Sequence, residues 1–242
     1  MAQFCLEIAG QAASVTSLFE STPHHFAKYL TDRDADFSIA VTTADLAFEQ
    51  ADADAEAAEE GFRQRNFPNP FLERAAIQRQ FAEHLLEHNT ILLHGSTLAL
   101  DGQGYLFTAR SGTGKSTHTR LWREVFGSRV QMVNDDKPFA RLSGEGVTVW
   151  GSPWSGKHGL DTNIGVPLAG ICLLERGPDN VIRQAEPEEL KDLLKGFRPR
   201  TQPQAAAYEA LLAQLLQRVP LWQLSCNKDP GAAITAFEAM SK

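Results

Sequence analysis

Residues 105–116 read Tyr-Leu-Phe-Thr-Ala-Arg-Ser-Gly-Thr-Gly-Lys-Ser, and residues 117–126 continue Thr-His-Thr-Arg-Leu-Trp-Arg-Glu-Val-Phe. Tyr105-Leu106-Phe107 is strand-like, and in the continuation Leu121, Trp122, Val125 and Phe126 share one helical face, with Gly127 where a C-terminal cap belongs. Between strand and helix lies the pattern of a phosphate-cradling loop. Gly112 and Gly114 let the backbone curl so that successive N–H groups, with those of Ser111 and Thr113, point inward at an anion. Lys115 reaches terminal phosphates, the Ser116 hydroxyl joins a Mg²⁺ shell, and Thr117 lies in the first helical turn, at the positive end of the helix. Ala109 stands where the pattern has its first glycine, which removes easy access to positive φ there. A nucleotide is therefore the expected ligand.

Working outward, Ile91 to Leu100, a turn at Asp101-Gly-Gln-Gly104, and Tyr105 to Thr108 read as a β-hairpin feeding the loop. Val130 to Val133 is a buried strand ending in Asn134-Asp135-Asp136. Phe139–Leu142 and Val147–Trp150 form a second hairpin, and Leu168–Leu174 is an apolar strand. The tail alternates helices near Glu188–Lys195 and Ala205–Leu216, a strand at Leu221–Ser225, and a helix at Ala232–Met240. Leu211, Leu212, Leu215 and Leu216 have core spacing.

Upstream, Phe4–Ala9 and Phe37–Thr42 read as short strands flanking a helix at His24–Leu30. The run Ala51–Glu60 is a solvated helix face or a linker, Asn66–Pro70 a turn, and Phe71–His88 a helix. Expected domains are a small α+β region over 1–88 and a nucleotide-binding α/β domain over 89–242.

The chain has 242 residues, 43% of them hydrophobic, enough for a packed core. A net charge of −7 argues against a nucleic-acid surface, which needs a basic footprint. Cys5, Cys172 and Cys226 have no ligand spacing and read as reduced buried thiols. Neither a signal segment nor a membrane span is expected, so the reading is cytoplasmic.

Four elements in order, His94-Gly95, Leu100-Asp101-Gly102, Ser111-Gly-Thr-Gly-Lys-Ser116 and Asn134-Asp135-Asp136, resemble the kinase core of HPr kinase/phosphorylase. That core is related to the nucleotide site of phosphoenolpyruvate carboxykinase. The resemblance covers residues 90–175 and the tail loosely. It implies a P-loop kinase core with a mixed sheet, ATP and Mg²⁺ as cofactors, and transfer of the γ-phosphoryl group to a hydroxyl. It makes Asp135 the general base and gives Asp136, with Ser116, to the metal; the nearby cations would keep Asp135 ionised. As adjacent strand residues the two carboxylates would face opposite ways. His94 matches a histidine placed near the transferred phosphate, or else is a hydrogen-bonded core residue. The N-terminal ninety residues differ from the long domain of full-length HPr kinases, and a Gly-Arg-Gly signature is missing. The chain looks more like short HPr-kinase-like proteins, some similar to enzymes that phosphorylate serine in peptides or as the free amino acid.

Lys157, in Gly151-Ser-Pro-Trp-Ser-Gly-Lys-His158, is either a catalytic cation that stabilises transferred charge or binds the acceptor, or a solvated lysine. Trp154 stacks on a base or anchors the loop. Arg110 meets nucleotide or faces solvent, and Arg120 and Arg123 read as surface residues. The acceptor would be a hydroxyl-bearing peptide, protein or small molecule; nucleic acid and membrane are not expected, and homo-oligomerisation stays open. Alternatives are a nucleotide-gated binding protein without transfer and a carboxykinase-like enzyme acting on a small acid.

Overall fold

The structure, a computed structural model, describes residues 1–59, 61 and 63–241. Glu60, the last of the acidic run, and Lys242, the last of the expected second domain, lie outside the described residues. The chain forms two units, residues 1–84 and residues 85 onward.

In the first unit, β1 (Ala2–Ile8) and β2 (Gln11–Ser17) form an antiparallel pair, and β3 (Phe37–Ala40) runs parallel to β2. Strand β2 was not expected from the sequence. Its adjacent Ala12 and Ala13 are both fully buried, on opposite faces, and too small to give a strong apolar alternation. The expected helix at 24–30 is instead the single turn α1 (Thr22–His25), with Pro23 in its first turn, followed by a 3₁₀ turn. The acidic run belongs to α2 (Thr43–Glu59). Thr42 and Asp45 cap α2 reciprocally: Thr42 N donates to Asp45 Oδ2 at 3.0 Å and Asp45 N to Thr42 Oγ1 at 3.3 Å. On α3 (Asn69–Leu85), buried Arg79 binds Asp45, Glu49 and Glu83. Phe81 of the same helix meets Phe37 of β3 edge-on at 5.0 Å.

The second unit is mixed α/β. Its sheet contains β4 (Thr90–Leu92), β5 (Ser96–Leu100), β6 (Gln103–Thr108), β7 (Val130–Asn134), β8 (Phe139–Ser143), β9 (Gly146–Trp150), β10 (Gly165–Arg176), β11 (Val181–Gln184) and β12 (Leu221–Cys226). The hub is β10. Its first residues pair antiparallel with β9, and its later ones pair in parallel with β6 on one side and β12 on the other. Ile171 and Leu173 enter one apolar cluster with α6 (Gln202–Arg218), while Cys172 and Leu174 enter another with α4 (Lys115–Phe126) and α7 (Gly231–Met240). Strand β10 is therefore buried on both faces, which is why it reads as a continuous apolar run rather than an alternating one.

Two expected elements are broken where the backbone is used elsewhere. The strand expected over 91–100 divides into β4 and β5, because His94 N donates to Leu194 O at 2.9 Å and Gly95 N to Asp136 O at 2.9 Å. The helix expected over 188–195 is only α5 (Pro187–Leu190). Beyond it the carbonyl of Leu193 accepts from Thr108 Oγ1 at 3.0 Å and that of Leu194 accepts from His94, so neither serves a helix. Strand β11 was not foreseen; it is short, largely exposed and at an edge.

Trp122 is fully buried and touches the rings of Tyr105, Phe107, Phe126 and Phe237. Trp122→Ala is expected to lower stability by about 3–5 kcal/mol, read as a shift of the denaturant midpoint. A loss below about 1 kcal/mol would mean that α4 does not depend on this cluster.

Candidate functional site

Strands β6, β10 and β12 are mutually parallel, β5 is antiparallel to β6, and β7 is antiparallel to β5. The carboxyl ends of β6, β7, β10 and β12 therefore emerge at one edge of the sheet, the edge where open α/β sheets bind ligands. From it leave four segments: Ala109–Gly114, Asn134–Lys137, Arg176–Gly177 and Cys226–Lys228.

The first segment joins β6 to α4. Gly112 has φ 74° and Gly114 φ 131°, values that L side chains rarely adopt. Thr113 N donates to Arg110 O at 3.1 Å, closing a turn, and His118 N donates to Gly114 O at 2.9 Å, opening the helix ladder. The N–H groups of Lys115, Ser116 and Thr117 thus have no partner within the helix, and Gly114 at the N-cap has no side chain to offer them. Lys115 Nζ donates back to Ala109 O at 3.2 Å. Burial lowers the pKa of Lys115, opposed by Asp136 and reinforced by Lys137, so these three charges sit close together. Ala109 is 1% exposed and is not among the positive-φ residues, so alanine carries no strain there. Ser111 and Gly112 are exposed, and Thr113 to Thr117 half-buried. Two cavities, of about 790 and 540 Å³, open beside the loop.

Across the edge, β7 ends at Asn134, so Asp135 and Asp136 lie in a bend beyond the strand rather than on opposite faces of it. The buried Asn134 side chain shapes this bend. Its Oδ1 accepts from Asp136 N at 2.7 Å and Lys137 N at 2.6 Å, and its Nδ2 donates to Ser152 O at 2.8 Å. Ser152 Oγ in turn donates to Lys137 O at 2.6 Å, tying the bend to the 151–159 loop.

Asp135 is 4% exposed. Its Oδ1 accepts from Gly156 N at 2.6 Å, and its Oδ2 has no hydrogen-bond partner among the described residues. A Cβ on Gly156 would lie 3.2 Å from that Oδ2, so the loop closes over the carboxylate. Burial raises the Asp135 pKa, outweighing the Gly156 N–H, and Asp136 raises it further. The expectation that nearby cations hold Asp135 ionised is thus opposed in the protein alone by desolvation.

Asp136 is half-buried, with Oδ1 3.6 Å from His94 Nε2. The contact is not an ion pair, because burial, then Lys137 and Lys115, hold the His94 pKa down to about 3. Lys157 is exposed on the loop. Trp154 is buried edge-on to Phe139, the anchoring arrangement. Arg110 is exposed; Arg120 is exposed and paired with Glu124, whereas Arg123 is half-buried.

Sequence reasoning overlooked Lys137, although it follows the aspartates directly. It also overlooked Arg176, whose Nη2 donates to Gly112 O at 2.6 Å and Nε to Thr113 O at 3.3 Å. An arginine ending an apolar strand 63 residues from its partner gives no local signal.

No protein-family model matches the chain, and no curated protein matches it. Among solved structures, the Hpr(Ser) kinase/phosphatase from Coxiella burnetii is similar at 14% identity and a TM-score of 0.29, over 51% of this chain and 88% of that one. A likeness of that size carries no argument for fold or function. No helix among the described residues is long and apolar enough to cross a membrane.

Both His94 and His118 have pKa values lowered mainly by burial, to about 3 and about 4. Unfolding lets them bind protons that the folded protein refuses. Stability should therefore fall as pH drops below about 6.5. NMR of the imidazole rings should show both neutral at pH 5.5; a midpoint near 6.5 for His94 would refute the burial argument.

Proposed function

We propose that the chain is a phosphotransferase with a P-loop nucleotide site, moving the γ-phosphoryl group of ATP to a hydroxyl, with serine in a peptide, a protein or free form as the favoured acceptor. One observation carries the reading. A glycine-bearing loop with open N–H groups, a lysine, and an aspartate pair whose Asp136 lies beside a neutral histidine converge on one sheet edge, although they come from the segments before β5, after β6 and after β7.

Each group has work suited to its position. The open N–H groups and the end of α4 would hold phosphate oxygens, and Lys115 would exchange its bond to Ala109 O for one to the terminal phosphates. A magnesium ion would neutralise charge developing on the transferred group. Ser116 and Asp136 supply hard oxygen donors for it, and no cluster of three or more His, Cys, Asp or Glu residues among the described residues forms a metal cage. An ion held by one or two protein oxygens together with substrate phosphates needs no such cage. The unpartnered Oδ2 of Asp135 is the acceptor for the hydroxyl proton. His94, uncharged, can hydrogen-bond there without adding to the charge. Lys157, exposed on its loop, would meet the acceptor.

The covering of Asp135 by Gly156 favours a second reading, in which the carboxylate ties the loop down and the protein binds a nucleotide and a peptide without transfer.

Calorimetry with ATP and Mg²⁺ is the first test: wild type should bind, and Lys115→Ala should lose most of the affinity. Absence of binding by wild type to ATP, ADP and GTP would overturn the nucleotide site. Ser116→Ala and Asp136→Asn should each raise the Mg²⁺ concentration needed for transfer; unchanged titrations in both would remove them from the metal.

With serine and serine peptides as acceptors and labelled ATP as donor, Asp135→Asn should keep ATP binding and lower transfer by roughly 10²- to 10⁴-fold. Transfer at the wild-type rate would refute the base assignment. Nucleotide-dependent peptide binding with no labelled product would establish the second reading.

A further inference from the structure

Arg176 is the last residue of β10, and its side chain reaches the turn of the loop after β6. Both hydrogen bonds run from its guanidinium to backbone carbonyls, those of Gly112 and Thr113. In a trans peptide the C=O and the following N–H point in opposite directions. Fixing the carbonyls of Gly112 and Thr113 toward Arg176 therefore fixes the N–H groups of Thr113 and Gly114 away from it. The N–H of Thr113 is used inside the turn, on Arg110 O at 3.1 Å. That of Gly114, so turned from Arg176, is followed along the chain by the open N–H groups of Lys115 and Ser116.

The loop needs such a constraint. With Gly112 at φ 74° and Gly114 at φ 131°, the peptide planes between them can turn over at little steric expense. The turn bond from Thr113 to Arg110 fixes one plane but leaves Gly114 free to rotate. Arg176 is itself anchored: the N–H of the next residue, Gly177, donates to Cys226 O at 3.0 Å, and β10 stays paired with β12 up to Arg176 itself, while its pairing with β6 ends at Leu173. Its side chain also lines both cavities, one bounded by Arg110, Ser111 and Leu193, the other by Thr117, Leu121 and Asn227. It thus stands between them on the side of the loop away from Asp135 and Asp136, since β10 and β7 flank β6 and β5 in the order β10-β6-β5-β7.

We propose that Arg176 is a positioning residue of the nucleotide site: it latches the carbonyls of Gly112 and Thr113 and so holds the loop's N–H groups in the orientation that receives phosphate. The proposal rests on the nucleotide reading above. Preorganised donors bind an anion without reordering the chain first, so loss of the latch should appear in affinity more than in folding.

The test compares wild type with Arg176→Ala and Arg176→Lys by calorimetry with ATP and Mg²⁺, amide hydrogen exchange over residues 110–116, and thermal melting. Arg176→Ala should weaken ATP binding about tenfold or more, the worth of one charge-assisted hydrogen bond, and should speed exchange at Gly114 with little change in melting temperature. Arg176→Lys, which supplies a point charge but not the two-pronged fork, should recover only part of the affinity. Millimolar ethylguanidine should restore binding to the alanine variant and not change that of wild type. If wild type binds ATP and the alanine variant matches it in both affinity and exchange, the latch is overturned and the nucleotide site stands. Faster exchange without loss of affinity overturns the positioning role, and failure of wild type to bind overturns both.

Discussion

Pairing along β10 is the constraint on which the second unit depends. One strand of twelve residues satisfies its backbone groups against β9 at one end and against β6 and β12 along the other, and it buries alternate side chains in two separate apolar clusters. Register follows from that double burial. A slip of one residue would exchange Ile171 and Leu173 with Cys172 and Leu174 between the α6 face and the α4 face, and neither cluster would accept the other's shapes. Because register is fixed, so is the height at which β6, β10 and β12 end, and the loop at Ala109, the guanidinium of Arg176 and the Cys226 segment arrive at one edge.

Burial governs the electrostatics of that edge. His94 and Asp136 are close enough to suggest an ion pair, yet two lysines and the loss of solvent keep the histidine uncharged. Asp135 is shifted toward its protonated form for the same reason. Coulomb attraction is strong at short range, but the unfavourable transfer of each charge from water comes first. A polyanion bringing its own countercharge to Lys115 and Lys137 would shift this balance.

Much of this was legible in the sequence because it is local. The hairpin of β5 and β6, the hairpin of β8 and β9, the helix after the loop and the glycines within it announce themselves through alternation, spacing and turn residues. What escaped is non-local. Asn134 was visible only as the neighbour of two aspartates, and its bonds to Ser152 make sense only once two loops meet. The break at His94 depends on the carbonyl of Leu194, a hundred residues along the chain, and Arg176 on carbonyls that it reaches across a parallel ladder. Strand β2, mostly alanines and hydroxyl residues with Val15 its one large apolar side chain, carried too little apolar signal to be read as a strand. Ala109 shows the opposite case: it departs from the motif, and the backbone conformation it adopts makes no demand for glycine.

The same long-range pairings bear on how the chain folds. Hairpins β5–β6 and β8–β9 close short loops, whereas β6 joins β10 only after the intervening strands and α4 have been threaded past, and β12 must then lie along β10 from still further on. Tyr208 extends the span, donating to Leu92 O across 116 residues. Closing large loops before any contact rewards them slows folding. The edge that gathers the loop, the aspartates and Arg176 is complete only once these long-range pairings have closed. Intermediates carrying finished hairpins would have none of its binding capacity, so the ability to bind would appear together with the native state rather than ahead of it.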